Sequence, residues 1–378
     1  MYRHVVRPIL FAMQPESAHN LMRVVGRVAN VPALSTWLNG CMRVQDARLR
    51  VELAGMTFDN PIGMASGPDK DCELLGLWRS IGFGHVELGG VTAKAQPGNP
   101  KPRMFRLVED QALINRAGFP SSGADRVAER LAALRSRLPV LPPLGMNIGK
   151  SKVTEIDQAV EDYSYSFSKV APFVEYVTVN VSSPNTVGLR QLQERHRLLE
   201  LLKQLQSINT QQRPLFVKVA PDLTFEALDE VIECCYECGV AGIVATNTTL
   251  SREGLKTSIN EAGGLSGAPL TTRSLEVVTF IGSRLAAKTG SRMALIGVGG
   301  ISSYQHVLAM LAAGAQMVQL YTALVYYGPG IVRRLNLDLV RYMDTHGCRS
   351  LDEAAQLWKS GVRELIKGGA GQRAAAAG

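Results

Sequence analysis

From about Pro61 onward, short β-branched apolar runs alternate with longer stretches whose apolar residues recur at helical spacing. Strands covered on both faces by helices read as continuous apolar runs, so this alternation predicts repeated βα units around a parallel sheet. Eight runs stand out: Ile62–Ser66, His85–Val91, Leu144–Ile148, Tyr176–Ser182, Leu215–Ala220, Gly242–Thr246, Ala294–Gly299 and Met317–Tyr321. Helices are expected between them over Ser122–Leu138, Thr154–Ala171, Leu189–Leu205, Phe225–Cys238, Thr271–Ala287 and Tyr304–Ala313. Eight units predict an α/β fold of the (β/α)8 TIM-barrel kind rather than an open doubly wound sheet.

The first forty residues break that pattern. From Pro15, a favoured first helical residue, Ala18, Leu21, Met22, Val25, Val28 and Ala29 share one arc, and Glu16, Asn20, Arg23 and Arg27 share the other. A helix of this kind can dock on a barrel or lie in a membrane interface, and Arg3 and Arg7 beside Ile9–Met13 add weight to the interface. The chain thus divides into an N-terminal amphipathic helical segment (1–42), a barrel (43–367) and a Gly/Ala tail (368–378) expected to be disordered.

Composition narrows this little. A chain of 378 residues that is 46% hydrophobic and 20% charged can bury a sizeable core. No apolar run approaches the roughly 18 residues that span a bilayer, and no secretory apolar core opens the chain, so a cytoplasmic location is expected. The net charge of +8 suits an anionic partner, whether nucleic acid, phospholipid headgroups or a carboxylate substrate. Cys234, Cys235 and Cys238 fall in an apolar stretch of helical spacing with no second ligand pair nearby, and read as free cysteines of a helix.

Barrel chemistry sits where the strands stop. The run ends here are polar and glycine-rich: 65–70, 147–150, 180–186, 218–222, 246–249, 297–300 and 321–322. Gly297-Val-Gly-Gly300, between a strand and a helix after the seventh run, is placed to hold a phosphate with backbone N–H groups. Lys70 and Lys218 can pair with a substrate carboxylate or with negative charge on a reduced cofactor, though either could be a solvated surface lysine. Asn115, Asn147, Asn180, Asn185 and Asn247 suit a flat ligand edged with donors and acceptors, such as a cyclic amide or imide. Ser182-Ser183-Pro184-Asn185 brings a hydroxyl but no nearby histidine or carboxylate, so a hydrolase triad is not expected; a serine can still accept a proton if the substrate loses electrons at the same time. With no clustered His/Cys/carboxylate set at any strand end, no metal is expected.

Taken together, these segments resemble the class 2, quinone-dependent dihydroorotate dehydrogenases. The likeness runs from Pro15 to about Gly330 through Gln96-Pro-Gly-Asn, Lys101-Pro-Arg-Met-Phe-Arg106, Asn115-Arg-Ala-Gly-Phe119, Asn180-Val-Ser-Ser-Pro-Asn-Thr-Val-Gly-Leu-Arg190, Lys218-Val-Ala-Pro-Asp222, Thr246-Asn-Thr-Thr249 and Gly263-Gly-Leu-Ser-Gly267. It implies an FMN enzyme that oxidises dihydroorotate to orotate in pyrimidine synthesis and passes the electrons to a membrane quinone. Ser183 would be the base that takes the C5 proton; class 1 relatives use cysteine there. Lys70, Asn115, Arg116, Ala117, Gly118, Phe119, Asn180, Asn185, Asn247 and Thr248 would surround the substrate. Ala65, Ser66, Gly67, Asp69, Gly90, Asn147, Asn180, Lys218, Thr246, Gly267, Gly300, Tyr321 and Thr322 would hold FMN. His19, Arg106 and Tyr321 would line the quinone tunnel. The resemblance also implies a peripheral enzyme on the cytoplasmic face of the cell membrane, a monomer without a nucleic-acid partner.

Two positions depart from the family pattern: Gly90 stands where threonine is usual, and Pro120 where asparagine is usual. The nearest rivals are other FMN barrels acting on a pyrimidine, such as a dihydropyrimidine dehydrogenase domain or a tRNA dihydrouridine synthase, and a catalytically inactive, membrane-docked barrel. Serine rather than cysteine at 183 argues against the synthases, and intact Ser183, Lys70 and Lys218 argue against an inactive barrel.

Overall fold

A computed structural model describes residues 2–138, 140–288, 290 and 293–361. The expected tail at 368–378 lies outside them. Eight parallel strands close a barrel in chain order: β1 (Ile62–Met64), β2 (His85–Val91), β3 (Leu144–Ile148), β4 (Tyr176–Asn180), β5 (Leu215–Val219), β6 (Gly242–Ala245), β7 (Ala294–Val298) and β8 (Met317–Leu320). Closure comes from β8 pairing with β1, with Val318 opposite Ile62. The β2 and β3 boundaries match the apolar runs to the residue; the other strands stop one or two residues earlier, where the chain turns into the polar ends. The helices Phe225–Glu237, Thr271–Ala287 and Tyr304–Ala312 fall where the spacing put them, whereas 189–205 splits into a short 3₁₀ turn and the helix Arg195–Ile208. Cys234 and Cys235 are buried and all six cysteines are free.

Alternate residues of a strand share a face, so the barrel interior builds up in layers. Tyr176 and Phe216 pack edge to face at 5.2 Å with Met317 at the bottom, closed from below by Leu53 and Phe58 of the hairpin Val51–Leu53/Met56–Phe58. Two residues further along the same strands, Thr178, Lys218 and Gln319 form a polar layer with His85 and Glu87 of β2, all of them buried. Asn180 stands one step higher, at the mouth. A three-stranded antiparallel sheet lies over that mouth: Gly264–Gly267, Ala112–Asn115 and Met104–Leu107, with Gly264 and Met104 both opposite Asn115.

The N-terminal helices Arg7–Ala12, Pro15–Arg27 and Pro32–Met42 lean on the barrel, the last against the helix Leu75–Ile81. Contrary to a simple docked amphipathic helix, Pro15–Arg27 anchors itself through its charged side. Arg23 and Arg27 both reach Glu73 at 2.6 Å, and Glu16 pairs with Arg103 at 3.1 Å. Only the small residues Ala18 and Gly26 are buried, while Val24 and Val25 are 61% and 54% exposed and Val28, just beyond, 57%. Nine of the seventeen exposed large apolar residues among those described lie between Val5 and Trp37. No helix among the described residues is long and apolar enough to cross a membrane.

Candidate active site

The ends of the barrel strands and the overlying sheet enclose one cavity, with about 1330 Å³ of atom-free space including its open mouth. Its floor is organised by Glu87. This carboxylate is fully enclosed and accepts hydrogen bonds from Asn147 Nδ2 (2.9 Å), Gln319 Nε2 (3.0 Å), Lys218 Nζ (3.1 Å) and Thr178 Oγ1 (3.1 Å). Burial alone would raise its pKa, but the Lys218 ammonium and these donors outweigh it and hold the carboxyl below the usual range. An ionised carboxylate can only accept, so it fixes which way each neighbouring amide points. Asn147 must turn its NH₂ to Glu87, which leaves its oxygen to accept from Asn180 Nδ2 (2.8 Å), and Asn180 Oδ1 in turn accepts from Asn247 Nδ2 (3.3 Å). Three of the strand-end asparagines thus form one directed chain ending on a buried charge.

Above the floor, Asn247 also donates to Ser182 Oγ (3.0 Å), and Asn185 Nδ2 meets Asn115 Oδ1 at 3.3 Å, tying the loop after β4 to the overlying sheet. Ser183 is 7% exposed, lines the cavity, and accepts only the Asn185 N–H at 3.3 Å among the described residues. Lys70 enters the cavity from the β1 end; burial and the nearby Arg103 push its ammonium down to about 8. At the far side, Gly299 and Gly300 adopt φ of +128° and +69°, and a Cβ on Gly300 would sit 2.0 Å from Thr271 Oγ1. That turn and Thr322, at the start of the helix Thr322–Tyr327, line one end of the cavity. The arrangement suits a flat heteroaromatic group: amides along its edge, a cation beside it and a glycine turn for a phosphate.

Nearly every residue expected at the site lines this cavity: Ala65, Ser66, Gly67, Lys70, Gly90, Asn115, Ala117, Gly118, Phe119, Asn147, Asn180, Ser183, Asn185, Lys218, Thr246, Asn247, Thr248, Gly267, Gly300, Tyr321 and Thr322. Two do not. Asp69 turns its carboxylate into the protein, where it accepts from Glu73 N (2.8 Å), Leu74 N (2.9 Å) and Trp78 Nε1 (2.9 Å) and orders the segment entering the helix Leu75–Ile81. Arg116 points outward, pairing with Glu261 at 2.5 Å over the Phe105 ring. The sequence reading missed Glu87, Thr178 and Gln319, whose signal was a polar residue inside an apolar run, and Met104 and Ser266 of the overlying sheet.

Gly90 has a local explanation. The Phe119 ring fills the place a side chain would take, since a Cβ on Gly90 would lie 2.6 Å from it, and a Cβ on Gly149 would lie 2.9 Å from the same ring.

A second, apolar cavity of about 970 Å³ of atom-free space runs between the N-terminal helices and the barrel. Leu10, Phe11, Ala18, Met22, Leu74 and Val325 are among its walls, and it meets the central cavity at His19, Met104 and Tyr321. Arg106 lies in its wall with its guanidinium held by Leu10 O (2.8 Å) and Met13 O and laid over the Phe11 ring. Burial, with Lys70, Arg23 and Arg103 nearby, holds the His19 ring down at about 4, so it is neutral near pH 7. Burial pushes the Tyr321 phenol up to about 12.

The sequence model of the family described as dihydroorotate dehydrogenase matches residues 48–343. The quinone-type dihydroorotate dehydrogenase of Gloeobacter violaceus is 46% identical over 356 residues, covering 94% of this chain and 98% of its own length. That of Thermus thermophilus is 47% identical, over 91% and 98%. Among solved structures, the Eimeria tenella DHODH in complex with ferulenol superposes with a TM-score of 0.81 at 34% identity, over 92% of this chain and 98% of that one.

Proposed function

Because the chain belongs to the dihydroorotate dehydrogenase family, we infer that it oxidises dihydroorotate to orotate in pyrimidine synthesis, as the quinone-dependent members it resembles along almost its whole length do. It is an FMN-dependent oxidoreductase of the quinone type. One observation carries the two-substrate reading: a polar, amide-lined cavity and an apolar tunnel meet at His19, Met104 and Tyr321.

The residues present fit FMN. The Gly299–Gly300 turn and Thr322 offer a phosphate end, the chain from Asn247 through Asn147 to Glu87 offers amide edges, and Lys218 offers a cation 3.1 Å from its counter-charge. Bound there, FMN would supply an acceptor for the hydride lost by the substrate and a donor of electrons to the quinone. Ser183 takes the C5 proton. Among the described residues it has no carboxylate or histidine partner, so its basicity suffices only because the substrate gives up electrons in the same step. Asn115, Asn180, Asn185, Asn247 and Thr248 hold the ring of the substrate through its amides, and the part-buried Lys70 meets its negative charge.

His19, Arg106 and Tyr321 line the quinone passage, and residues 1–42 form its membrane-facing mouth. The exposed row Val24, Val25 and Val28 supports this, because apolar area drives interfacial binding while Arg3 and Arg7 favour anionic lipid. The enzyme then works as a peripheral monomer on the cytoplasmic face of the cell membrane. Comparing a quinone, fumarate and NAD as acceptors of dihydroorotate oxidation in detergent tests the assignment; rapid turnover is expected with the quinone alone, and turnover with NAD or fumarate instead would sink it.

A further inference from the structure

A third cavity opens on the site, and it differs from the apolar tunnel in character. It is a groove of about 580 Å³ of atom-free space, with Glu16, Asn20 and Arg23 of the Pro15–Arg27 helix on one side and Asp71, Lys101 and Arg103 on the other. It shares His19, Lys70, Met104 and Ala117 with the central cavity. Of its charged residues, Glu16 is engaged by Arg103 at 3.1 Å, and Asp71 accepts the Ser122 N–H at 2.8 Å with Arg23 at 3.8 Å. That leaves two lysines with no ion pair among the described residues: Lys101, exposed at the rim, and Lys70, at the inner end where the groove meets the site. An unpaired cation at each end of a narrow groove attracts a carboxylate inward, because low-dielectric walls focus the field. The apolar tunnel offers an anion no such path: the Arg106 guanidinium is already held by Leu10 O and Met13 O, and stripping water from a charge against Leu10, Phe11 and Leu74 is costly.

We propose that this groove is the port through which the carboxylate substrate enters and its product leaves, so that the two half-reactions use separate doors. The proposal rests on the function inferred above. Lys101 captures the anion at the rim, Lys70 receives it inside, and Pro120 forms part of the wall between them. Lys70's depressed pKa fits this role, since an arriving carboxylate supplies the negative charge that its ammonium lacks.

The test uses the FMN-loaded full-length enzyme and stopped-flow mixing, measuring the second-order rate of flavin reduction by dihydroorotate and the release rate of orotate. Lys101→Glu should lower the on-rate about tenfold at low salt, with the gap closing as salt is added. Asn20→Trp, which narrows the groove from an exposed position, should slow entry and release by the same factor and leave the orotate Kd unchanged. Reoxidation of dithionite-reduced enzyme by a long-tailed quinone should be unaffected in both. If the wild type works but neither variant changes entry or release, or if Asn20→Trp slows the quinone step instead, the groove is not the port. If wild-type flavin is not reduced by dihydroorotate at all, the functional assignment fails and takes the port with it.

Discussion

Glu87 Oε1 lies 3.1 Å from Lys218 Nζ in the barrel floor, with side-chain exposures of 0% and 5%. Removing one partner of a buried pair leaves an uncompensated charge, a loss of about 3–5 kcal/mol. Glu87→Leu should therefore lower the unfolding free energy by that order. Glu87→Gln keeps the shape but frees the charge of Lys218, proposed above to lie beside the bound flavin, so the flavin midpoint potential should move positive relative to wild type. A redox titration against a reference dye reads it directly; an unchanged potential would mean that the pair is structural only.

Phe119 occupies the space above Gly90, 2.6 Å from where a Cβ would stand. Gly90→Thr, which introduces the residue that the family resemblance led one to expect there, should therefore damage this enzyme. Overpacking of this kind costs about 1–3 kcal/mol, and the displaced ring should raise the KM for dihydroorotate. Pairing it with Phe119→Ala should recover part of the stability. Thermal melts of the two singles and the double decide it, and additive losses would show that the two sites are uncoupled.

Burial holds the His85 ring at about 4, and that of His19 likewise, against an ordinary 6.5. Between those values the unfolded chain binds protons that the folded chain refuses, so stability rises with pH. The contribution is complete above about pH 6.5 and lost as pH falls toward 4. Urea midpoints measured across this window should fall less steeply for His85→Asn than for wild type. Equal slopes would mean that the ring does not titrate as described.

Val24 and Val25 stand exposed on a helix anchored by its charged side, with Val28 exposed just beyond its end. Changing all three to serine should leave melting temperature and FMN content near wild type while abolishing flotation with anionic vesicles and lowering turnover of long-tailed quinones. Variants that still float would end the membrane proposal. Point variants are a cleaner probe than deleting residues 1–42, because Pro32–Met42 packs on the barrel helix Leu75–Ile81.

The barrel was legible because strands enclosed by helices must be apolar throughout, which is why His85–Val91, Leu144–Ile148 and the helix Thr271–Ala287 appear at the expected residues. The sheet over the mouth was not, because its strands are four residues long and Met104–Leu107 carries an arginine at its third position. Glu87 and Gln319 were read as members of apolar runs; their roles depend on which strands become neighbours, which no local pattern encodes. Asp69 illustrates the reverse error. The resemblance put it among the residues that would hold FMN, but its short side chain turns inward to accept the backbone N–H groups of Glu73 and Leu74. For the Pro15–Ala29 stretch the periodicity showed two faces without saying which one meets the barrel; in the structure Ala18 and Ala29 of the apolar arc are buried while Val25 and Val28 of the same arc stay exposed.

Ser183, 7% exposed at the cavity wall, tests the central claim most directly. The measurement is anaerobic stopped-flow absorbance of the FMN enzyme, wild type and Ser183→Ala, in two steps. Dihydroorotate should bleach the wild-type flavin, and a long-tailed quinone should restore it. Ser183→Ala should retain FMN, lose nearly all of the first step, and, once reduced with dithionite, be reoxidised by the quinone at the wild-type rate. Ser183→Cys should keep some of the first step with an altered pH profile. A wild-type flavin that stays oxidised with dihydroorotate, or a Ser183→Ala flavin that bleaches at the wild-type rate, would contradict the account.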